Sequence, residues 1–241
     1  MPFELDVVKN VLRVSGLDLR YVEKTGSTNA DLLCDGATKR GDVLIAGSQT
    51  KGRGRMDRRF ESPEGGLYMS VMLNPESAEE ALLITPRAAV AVARAIENVS
   101  GRRTGIKWVN DIFIDGKKVS GILAEARGGE RLDVVLGIGI NVSAAPEGME
   151  SIAGAIFETP PAYAREILAA EILNEFFCGG YNVYEEYTGR CIVLNQNITV
   201  TQGAESYAAR AVAIDSAFRL VVELSDGIRR TLDSGEISVR L

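Results

Sequence analysis

Apolar residues in the first part of the chain fall into short runs separated by polar and glycine-rich stretches. Four runs have the length of a β-strand, namely residues 19–24, 43–48, 67–73 and 134–142. The last of them is almost wholly apolar, which is typical of a strand buried on both faces. Two further segments show helical spacing, at residues 30–39 and 88–99. This pattern predicts an α+β domain in which helices pack on a sheet.

Capping and turn residues mark where several of these elements begin or end. The polar cluster at residues 26–29 can cap the first helix, and the Thr-Pro dipeptide at residues 85–86 predicts the start of the second. An Asp-Gly dipeptide at residues 115–116 lies between two strand-like runs and indicates a β-hairpin. Residues 51–66 carry glycine, proline and many charges without periodicity. We expect a long loop there, disordered when no ligand is bound.

The second part of the chain changes from helix to strand. Residues 162–187 are mainly helical in pattern, with the glycine pair at residues 179–180 as an interruption. From about residue 191, short apolar runs alternate with turn residues, which predicts a small β-barrel of about 50 residues. We therefore predict two domains, at residues 1–189 and 190–241.

Composition narrows the chemistry that the protein can perform. The chain has no histidine, which excludes a Ser-His-Asp triad, a Cys-His pair and a histidine-based metal site. Its three widely spaced cysteines predict neither a disulfide framework nor a zinc site. No apolar run is long enough for a membrane span and the N-terminus lacks a signal-peptide pattern, so we expect a cytoplasmic protein. A formal net charge of −6 argues against nucleic-acid binding over the whole surface.

Three clusters have side chains that could bind a ligand, and the first two of them suit an anionic one. The loop carries closely spaced cations that can grip carboxylate or phosphate, namely Lys51, Arg53, Arg55, Arg58 and Arg59. Residues 107–111 and the lysines of the hairpin can place charge on a phosphate. Asn141 ends the buried strand and needs a hydrogen-bond partner. Taken alone, the first two clusters are explained at least as well by a solvated loop and by packing of Trp108 above surface lysines.

Five motifs occur in an order that resembles the biotin–protein ligases. They are G-S-T-N at residues 26–29, Q-T-K-G-R-G-R at 49–55, K-W-V-N-D at 107–111, K-V-S-G-I-L at 118–123 and G-I-G-I-N at 137–141. The resemblance covers residues 19–142, and the C-terminal small domain is similar to that of the same family. It implies a mixed β-sheet catalytic domain flanked by helices, like that of class II synthetases, followed by a small SH3-like β-barrel.

The resemblance also implies a reaction in two steps. Biotin would be activated with ATP to biotinyl-5'-AMP and then transferred to a lysine of the biotin carboxyl carrier domain of a biotin-dependent carboxylase or decarboxylase. ATP would be the co-substrate and Mg²⁺ the activator, and no cofactor would be tightly bound. A homodimer is compatible with the resemblance, whereas DNA and membranes are not expected partners.

Each motif position carries an implied role. Arg53 and Lys118 would be the catalytic residues, holding the biotin carboxylate and the α-phosphate. Biotin would contact Ser27, Thr28, Asn29, Gln49, Gly52, Arg53, Lys118, Gly121, Ile122, Gly139 and Ile140. ATP would contact Arg55, Arg58, Phe60, Lys107, Trp108, Asn110, Lys118 and Asn141. Asp111 would support Lys118 or contact Mg²⁺.

The chain departs from the usual family pattern at three positions. Asp57 stands where a glycine is usual, so it adds negative charge and removes backbone freedom beside the phosphates. Phe60 stands where a tryptophan is usual and can still stack on adenine with a smaller ring. Val109 replaces a proline, which alters local rigidity.

Three other functions stay open on the sequence. A lipoate or octanoate ligase would share the fold, but such relatives typically carry a histidine after an arginine- and glycine-rich stretch. A biotin-responsive repressor would need an N-terminal winged helix, and only about 18 residues precede the first catalytic strand. A biotin-binding module with weak catalysis is suggested by Asp57, and turnover with a carrier protein would distinguish it from an enzyme.

Overall fold

The computed structural model describes residues 2–56, 58–128, 132–143, 145–202, 205–233 and 236–239. Within these ranges the chain forms a seven-stranded sheet, a five-stranded sheet and five helices. The predicted α+β class, with a mixed sheet and a small C-terminal β domain, is confirmed. Asp57, one of the departures from the family pattern, lies outside the described residues.

The larger sheet has the spatial order β1-β2-β3-β7-β6-β5-β4. Its strands in chain order are β1 (Asp18–Thr25), β2 (Asp42–Gln49), β3 (Leu67–Leu73), β4 (Gly105–Lys107), β5 (Asp111–Ile114), β6 (Lys117–Arg127) and β7 (Asp133–Ile140). β1 and β2 are parallel, and every other pair of neighbours is antiparallel. The apolar runs seen in the sequence thus become the central strands of a mixed sheet.

Helices cover the two faces of this sheet unequally. The helices are α1 (Leu5–Val11), α2 (Thr28–Cys34), α3 (Ala78–Ser100), α4 (Ala164–Cys178) and α5 (Val183–Arg190). α3 and α4 bury the main core against one face. The short α2 covers part of the other face through a small cluster of Leu32, Leu44, Met72 and Val135. Because side chains alternate along a strand, Gly137 and Gly139 of β7 share the α2 face with Val135 and line its uncovered part.

α2 is shorter than predicted and begins earlier. Ser27 is its N-cap and accepts a hydrogen bond from the Ala30 N–H at 3.5 Å. The helix ends at Cys34 rather than at residue 39. The Thr38 hydroxyl donates to the carbonyls of Leu32 at 3.0 Å and Asp35 at 2.9 Å, so it takes up carbonyls at the helix end and stabilises a turn there.

α3 begins earlier than residues 85–86, so the predicted start is wrong. Ser77 caps the helix by accepting a hydrogen bond from the Glu80 N–H at 3.1 Å, and Pro86 lies inside it. A serine cap with acidic residues in the first turn outweighs the proline signal. The predicted end is confirmed, because Gly101 follows the helix in the left-handed conformation with φ of 70°. The Asp-Gly hairpin is also confirmed, with φ of 48° and 76° at residues 115 and 116.

The smaller sheet is antiparallel and packs beside one end of the larger one. Its strands are β8 (Asn197–Gln202), β9 (Glu205–Ile214), β10 (Leu220–Glu223), β11 (Arg229–Leu232) and β12 (Glu236–Val239). The Trp108 indole N–H donates to the Phe218 carbonyl at 2.9 Å, and the Tyr187 hydroxyl donates to the Val109 carbonyl at 3.0 Å. Burial raises the pKa of Tyr187 well above its usual value, so this donor stays protonated. The turn before β10 and helix α5 are therefore hydrogen-bonded directly to residues 108 and 109.

The last helix lies close to the predicted domain boundary. α5 runs to Arg190 and β8 begins at Asn197, so helix changes to strand near residue 189. The division into domains at residues 1–189 and 190–241 stays a prediction. Within the described part of the chain, no helix combines the length and apolar character needed to cross a bilayer.

Candidate active site

A cavity of about 890 Å³ opens on the α2 face of the larger sheet. This volume falls in the range of small-molecule sites, roughly 300–1,000 Å³. Strands β6 and β7 form its floor, the loop at residues 51–66 lies above, and residues 107–111 and 149–152 line its sides. Ile192 and Ile237, which come from the C-terminal part of the chain, also line it.

Glycines in the floor make room for two side chains. A Cβ on Gly137 would lie 2.2 Å from Asn29 Oδ1, and a Cβ on Gly139 would lie 2.4 Å from Phe60 Cε1. Both distances are far below van der Waals contact, so any larger residue would displace these neighbours. The glycine pair of the last motif therefore allows Asn29 and Phe60 to approach the sheet.

A buried hydrogen-bond network lies at one end of the cavity. The Ser70 hydroxyl, which is fully buried in β3, donates to Asn29 Oδ1 at 2.6 Å and lies 2.6 Å from the Thr28 hydroxyl. The Thr28 N–H donates to Gln49 Oε1 at 2.9 Å, and Gln49 Nε2 donates to Ser62 Oγ at 2.9 Å. Because each side chain holds the next, this end presents hydroxyl and amide groups in fixed directions.

The loop above the cavity is pinned by its own backbone. The Phe60 N–H donates to the Gly52 carbonyl at 3.0 Å, and the Gly54 N–H donates to the Arg58 carbonyl at 2.7 Å. At the base of the loop, the Gln49 N–H donates to Ser62 O at 3.0 Å. In its described residues the predicted loop is confirmed as an irregular hairpin, and its disorder without ligand stays a prediction.

Two loop arginines reach protein partners on either side of the cavity. Arg53 Nη1 lies 3.0 Å from Glu125 Oε1, and Arg55 Nη1 donates to Asn110 Oδ1 at 3.3 Å. The Asn110 amide also donates to the Ile122 carbonyl at 2.7 Å. Both guanidinium groups are thus held at the cavity, where they can meet an anionic ligand.

Lys118 places a further charge in the cavity and is itself held by a carboxylate. Its Nζ lies 2.7 Å from Asp111 Oδ1 across the hairpin formed by β5 and β6. Among the described lining residues, the cations are Arg53, Arg55, Arg58, Arg59, Lys107 and Lys118, whereas Asp111 is the lone carboxylate. The cavity is therefore strongly positive although the whole chain carries a net charge of −6.

Most residues implied by the resemblance line this cavity. They are Ser27, Thr28, Asn29, Gln49, Arg53, Arg55, Arg58, Phe60, Lys107, Trp108, Asn110, Asp111, Lys118, Gly121, Ile122 and Gly139. The first and last of them, Ser27 and Gly139, are more than a hundred positions apart in the sequence, so only the fold brings the set together. Their contacts with ligands stay predictions.

Three implied residues do not line the cavity. Ile140 is fully buried in the main core, because it follows Gly139 in β7 and points to the opposite face. Asn141 Nδ2 donates to the Gly154 carbonyl at 3.0 Å, so its amide anchors a neighbouring loop. Gly52 lies in the loop interior, where a Cβ would come within 2.3 Å of the Phe60 carbonyl. These three residues have structural contacts here, and their contacts with a ligand stay predictions.

Phe60 lies in a different part of the site than the resemblance implied. Its ring covers Gly139 and Gly121, which were assigned to biotin, and Lys118 Nζ lies 5.8 Å from the ring centroid. Tyr68 packs against it edge-on at a centroid distance of 6.5 Å. The Phe60 ring therefore covers the glycine floor and forms a wall of the cavity, and its stacking on adenine stays a prediction.

Sequence reasoning missed residues that complete the site. Ser70 and Glu125 hold the network, and neither belongs to a quoted motif. Strand periodicity could have found Glu125, because Gly121, Leu123 and Glu125 alternate on one face of β6. Ile192, Ile237 and residues 149–152 could not have been found this way, since they reach the cavity only through packing.

The donor set does not provide a ready-made metal cage. In the ranges that the structure describes, no group of three or more His, Cys, Asp or Glu side chains is arranged to hold a metal ion. Mg²⁺ commonly binds through one or two carboxylates together with substrate phosphates. Asp111, which pairs with Lys118, fits only that limited role.

Comparison with known proteins identifies the family. The sequence model of the biotin/lipoate A/B protein ligase family matches residues 19–141, and that of the biotin protein ligase C terminal domain matches residues 193–240. Bifunctional ligase/repressor BirA of Bacillus subtilis is 31% identical over 239 residues, covering 90% of this chain and 73% of the relative. Biotin--[acetyl-CoA-carboxylase] ligase of Mycobacterium tuberculosis is 35% identical over 220 residues, covering 87% and 76%.

A solved structure extends this likeness to the fold. The biotin protein ligase from Aquifex aeolicus, in complex with biotin and ATP, superposes with a TM-score of 0.78 at 27% identity. The superposition covers 92% of this chain and 98% of that one. Together with the sequence matches, it shows that the chain is a ligase that belongs to the biotin/lipoate A/B protein ligase family.

Proposed function

We propose that the chain activates biotin with ATP to biotinyl-5'-AMP and transfers the biotin to a lysine of a biotin carboxyl carrier domain. The observation that carries this proposal is a single cavity lined by two unlike sets of groups. The set called the polar end consists of the fixed amides and hydroxyls of Thr28, Asn29 and Gln49, and the set called the cationic end consists of Arg53 and Lys118. A ligand with a polar ring system, an apolar chain and a terminal carboxylate matches this arrangement.

The polar end would recognise the ring system of biotin. A ring that carries both N–H donors and a carbonyl acceptor requires partners of both kinds in fixed directions. The network around Ser70 and Gln49 supplies such partners at low exposure. The Phe60 ring, which covers Gly121 and Gly139, would contact the apolar part of the molecule.

The cationic end would perform the first step. An oxygen of the biotin carboxylate attacks the α-phosphorus of ATP, the bond to the bridging oxygen breaks, and pyrophosphate leaves. Arg53 and Lys118 bring the two anions together and stabilise the negative charge on the α-phosphate in the transition state. The ion pair with Asp111 fixes the direction of the Lys118 ammonium group. None of these steps requires histidine.

The nucleotide would lie towards Lys107, Trp108 and Asn110, with Arg55 and Arg58 on its phosphates. Mg²⁺ would enter with those phosphates and reduce their charge. Among the described lining residues, Asp111 has the carboxylate that could contact it. In the second step, the neutral amine of a carrier lysine attacks the acyl carbon of biotinyl-5'-AMP. AMP leaves, the amine loses its proton to solvent, and an amide bond forms.

Incorporation of labelled biotin into a purified carrier domain tests the proposal. With ATP and Mg²⁺ we expect label on the wild-type carrier and none on a carrier whose target lysine is replaced by arginine. Labelled lipoate serves as the control for substrate class, and we expect no incorporation. Biotin binding without transfer would leave a binding module, and transfer of lipoate instead would show that the substrate is wrong.

Several finer expectations stay predictions. These are the dependence on Mg²⁺, a homodimer, a cytoplasmic location and the absence of DNA binding. The acetyl-CoA carboxylase named for relatives makes a carboxylase carrier domain the partner that we propose.

A further inference from the structure

Glu125 lies on β6 beside the cavity and belongs to none of the motifs. Its side chain is 18% exposed, and both carboxylate oxygens are engaged. Oε1 lies 3.0 Å from Arg53 Nη1, and Oε2 accepts a hydrogen bond from Asn29 Nδ2 at 2.8 Å. One carboxylate therefore joins two residues that the proposed function assigns to biotin.

The two partners of Glu125 differ in how firmly they are held. Asn29 is buried, and its amide also contacts Ser70 Oγ at 2.6 Å and the Leu123 carbonyl at 3.3 Å. The Arg53 side chain is 48% exposed and extends from a loop. A long, half-exposed side chain loses conformational entropy when a ligand orders it. Glu125 thus connects the half-exposed guanidinium group to the buried network.

The ion pair leaves Arg53 able to bind a ligand. A guanidinium group carries N–H donors on three nitrogens, and the contact with Glu125 is through Nη1. Donors on the other nitrogens can still face a carboxylate or phosphate. Glu125 itself is anchored by Asn29, so it cannot follow the guanidinium group into the cavity.

We propose that Glu125 is a positioning residue for biotin, which holds the Arg53 guanidinium where the carboxylate of the substrate binds. The inference rests on the proposed function. It assigns to Glu125 a selective effect on the charged end of the substrate. The ring end should depend on Glu125 only through the hydrogen bond with Asn29.

Binding of biotin and of biotin carboxamide, measured by calorimetry, tests this assignment. The carboxamide keeps the ring system but lacks the charge that Arg53 would hold. In Glu125→Gln the new side chain can still accept from Asn29, but it has no charge to orient Arg53. We expect biotin to bind about tenfold more weakly, and the carboxamide to bind within about twofold of the parent. Glu125→Ala should weaken both ligands, because Asn29 also loses its partner.

A control and a second variant separate positioning from a general effect on the fold. Glu61→Gln removes a carboxylate 3.1 Å from Arg59 in the same loop and should change neither affinity. Arg53→Gln should show the same selective loss as Glu125→Gln, and combining the two should add little. The Arg53→Gln measurement does not require the Glu125 variants to fold. The Arg53 side chain is half exposed, so we expect this variant itself to fold normally.

The outcomes distinguish failure of the proposed role of Glu125 from failure of the proposed function. Equal weakening of both ligands in Glu125→Gln would mean that the residue only supports the fold. Tighter binding of biotin would mean that Glu125 competes with the substrate for Arg53. Either result overturns positioning while the proposed function stands. If the folded parent chain does not bind biotin at all, the proposed function falls and this inference falls with it.

Discussion

Replacing Gly137 with alanine would test whether the Asn29 amide is a binding group. The added Cβ would lie 2.2 Å from Asn29 Oδ1 and 2.8 Å from both Cγ and Nδ2. Ordinary contact begins at 3.4 Å, so Oδ1 would have to move by about 1.2 Å. Because Asn29 is a buried residue of α2, its amide cannot swing into solvent as a surface side chain would.

The magnitude follows from the bonds that the amide makes. Asn29 bonds to Ser70 Oγ at 2.6 Å, to the Glu125 carboxylate at 2.8 Å and to the Leu123 carbonyl at 3.3 Å. A neutral hydrogen bond contributes about 0.5–1.5 kcal/mol, and a bond to a charged group about 1.5–3 kcal/mol. Because a small shift preserves part of this energy, we expect the free energy of unfolding to fall by about 2–4 kcal/mol. Biotin affinity should fall at least about tenfold.

Urea unfolding and biotin calorimetry measure the two effects, with Gly139→Ala as a matched control. In that variant the Cβ would meet the Phe60 ring at 2.4 Å, and the Phe60 side chain is less buried than that of Asn29. We expect its free energy of unfolding to change by less than about 1 kcal/mol, while its ligand affinity still falls. The two glycines lie two positions apart on one face of β7, so their backbone context is the same.

A double-mutant cycle decides whether the effect passes through Asn29. In an Asn29→Ala background the space beside Gly137 is empty, so adding the Cβ should cost less than about 0.5 kcal/mol. Full additivity of the two changes would show that the β7 backbone moves instead, which would refute the steric reasoning. If Gly137→Ala is less stable but binds biotin as tightly as the parent, Asn29 does not contact biotin.

Three further predictions concern charge and domain contact. Lys118→Ala should lower the adenylation rate at saturating substrates by at least about a hundredfold, measured as pyrophosphate release, and a near-normal rate would refute its role. Burial of Glu97 is outweighed by hydrogen bonds from Arg190 and Thr104, so the pKa of Glu97 is lowered. The stabilisation of the fold by ionised Glu97 is fully present above the ordinary carboxyl pKa and is lost as the pH falls through the lowered value. In Glu97→Gln, the free energy of unfolding measured with urea should therefore fall less steeply at acid pH. Trp108→Phe leaves the Phe218 carbonyl, in the turn between β9 and β10, unpaired and should lower the free energy of unfolding by about 1–3 kcal/mol, measured by urea unfolding.

Local patterns in the sequence were sufficient for much of the fold. The apolar runs become central strands because a strand buried on both faces requires apolar residues at every position. The Asp-Gly hairpin and the helix end at Gly101 follow from conformations that few residues adopt. The predicted start of α3 was wrong because two local signals competed, and the helix begins directly after the Ser77 cap rather than at the proline.

Strand alternation, which the sequence carries, would have corrected one site assignment. Gly139 and Ile140 are adjacent in β7, so only one of them can face the cavity. Asn141 is different. Its amide needed a partner, and the Gly154 carbonyl became that partner through a loop that packs beside β6. Sequence reasoning recognised the need for a hydrogen bond but not which group would satisfy it.

The sequence by itself thus determined the family, the fold class and the basic loop, because these depend on residue order and on local backbone preference. The tertiary structure decided which side chains meet. Glu125 joins Asn29 to Arg53 across 96 and 72 positions of sequence, and Ile237 closes the cavity from the far end of the chain. Such contacts depend on strand order and on how the C-terminal sheet packs, and both result from long-range burial of apolar surface rather than from any local pattern.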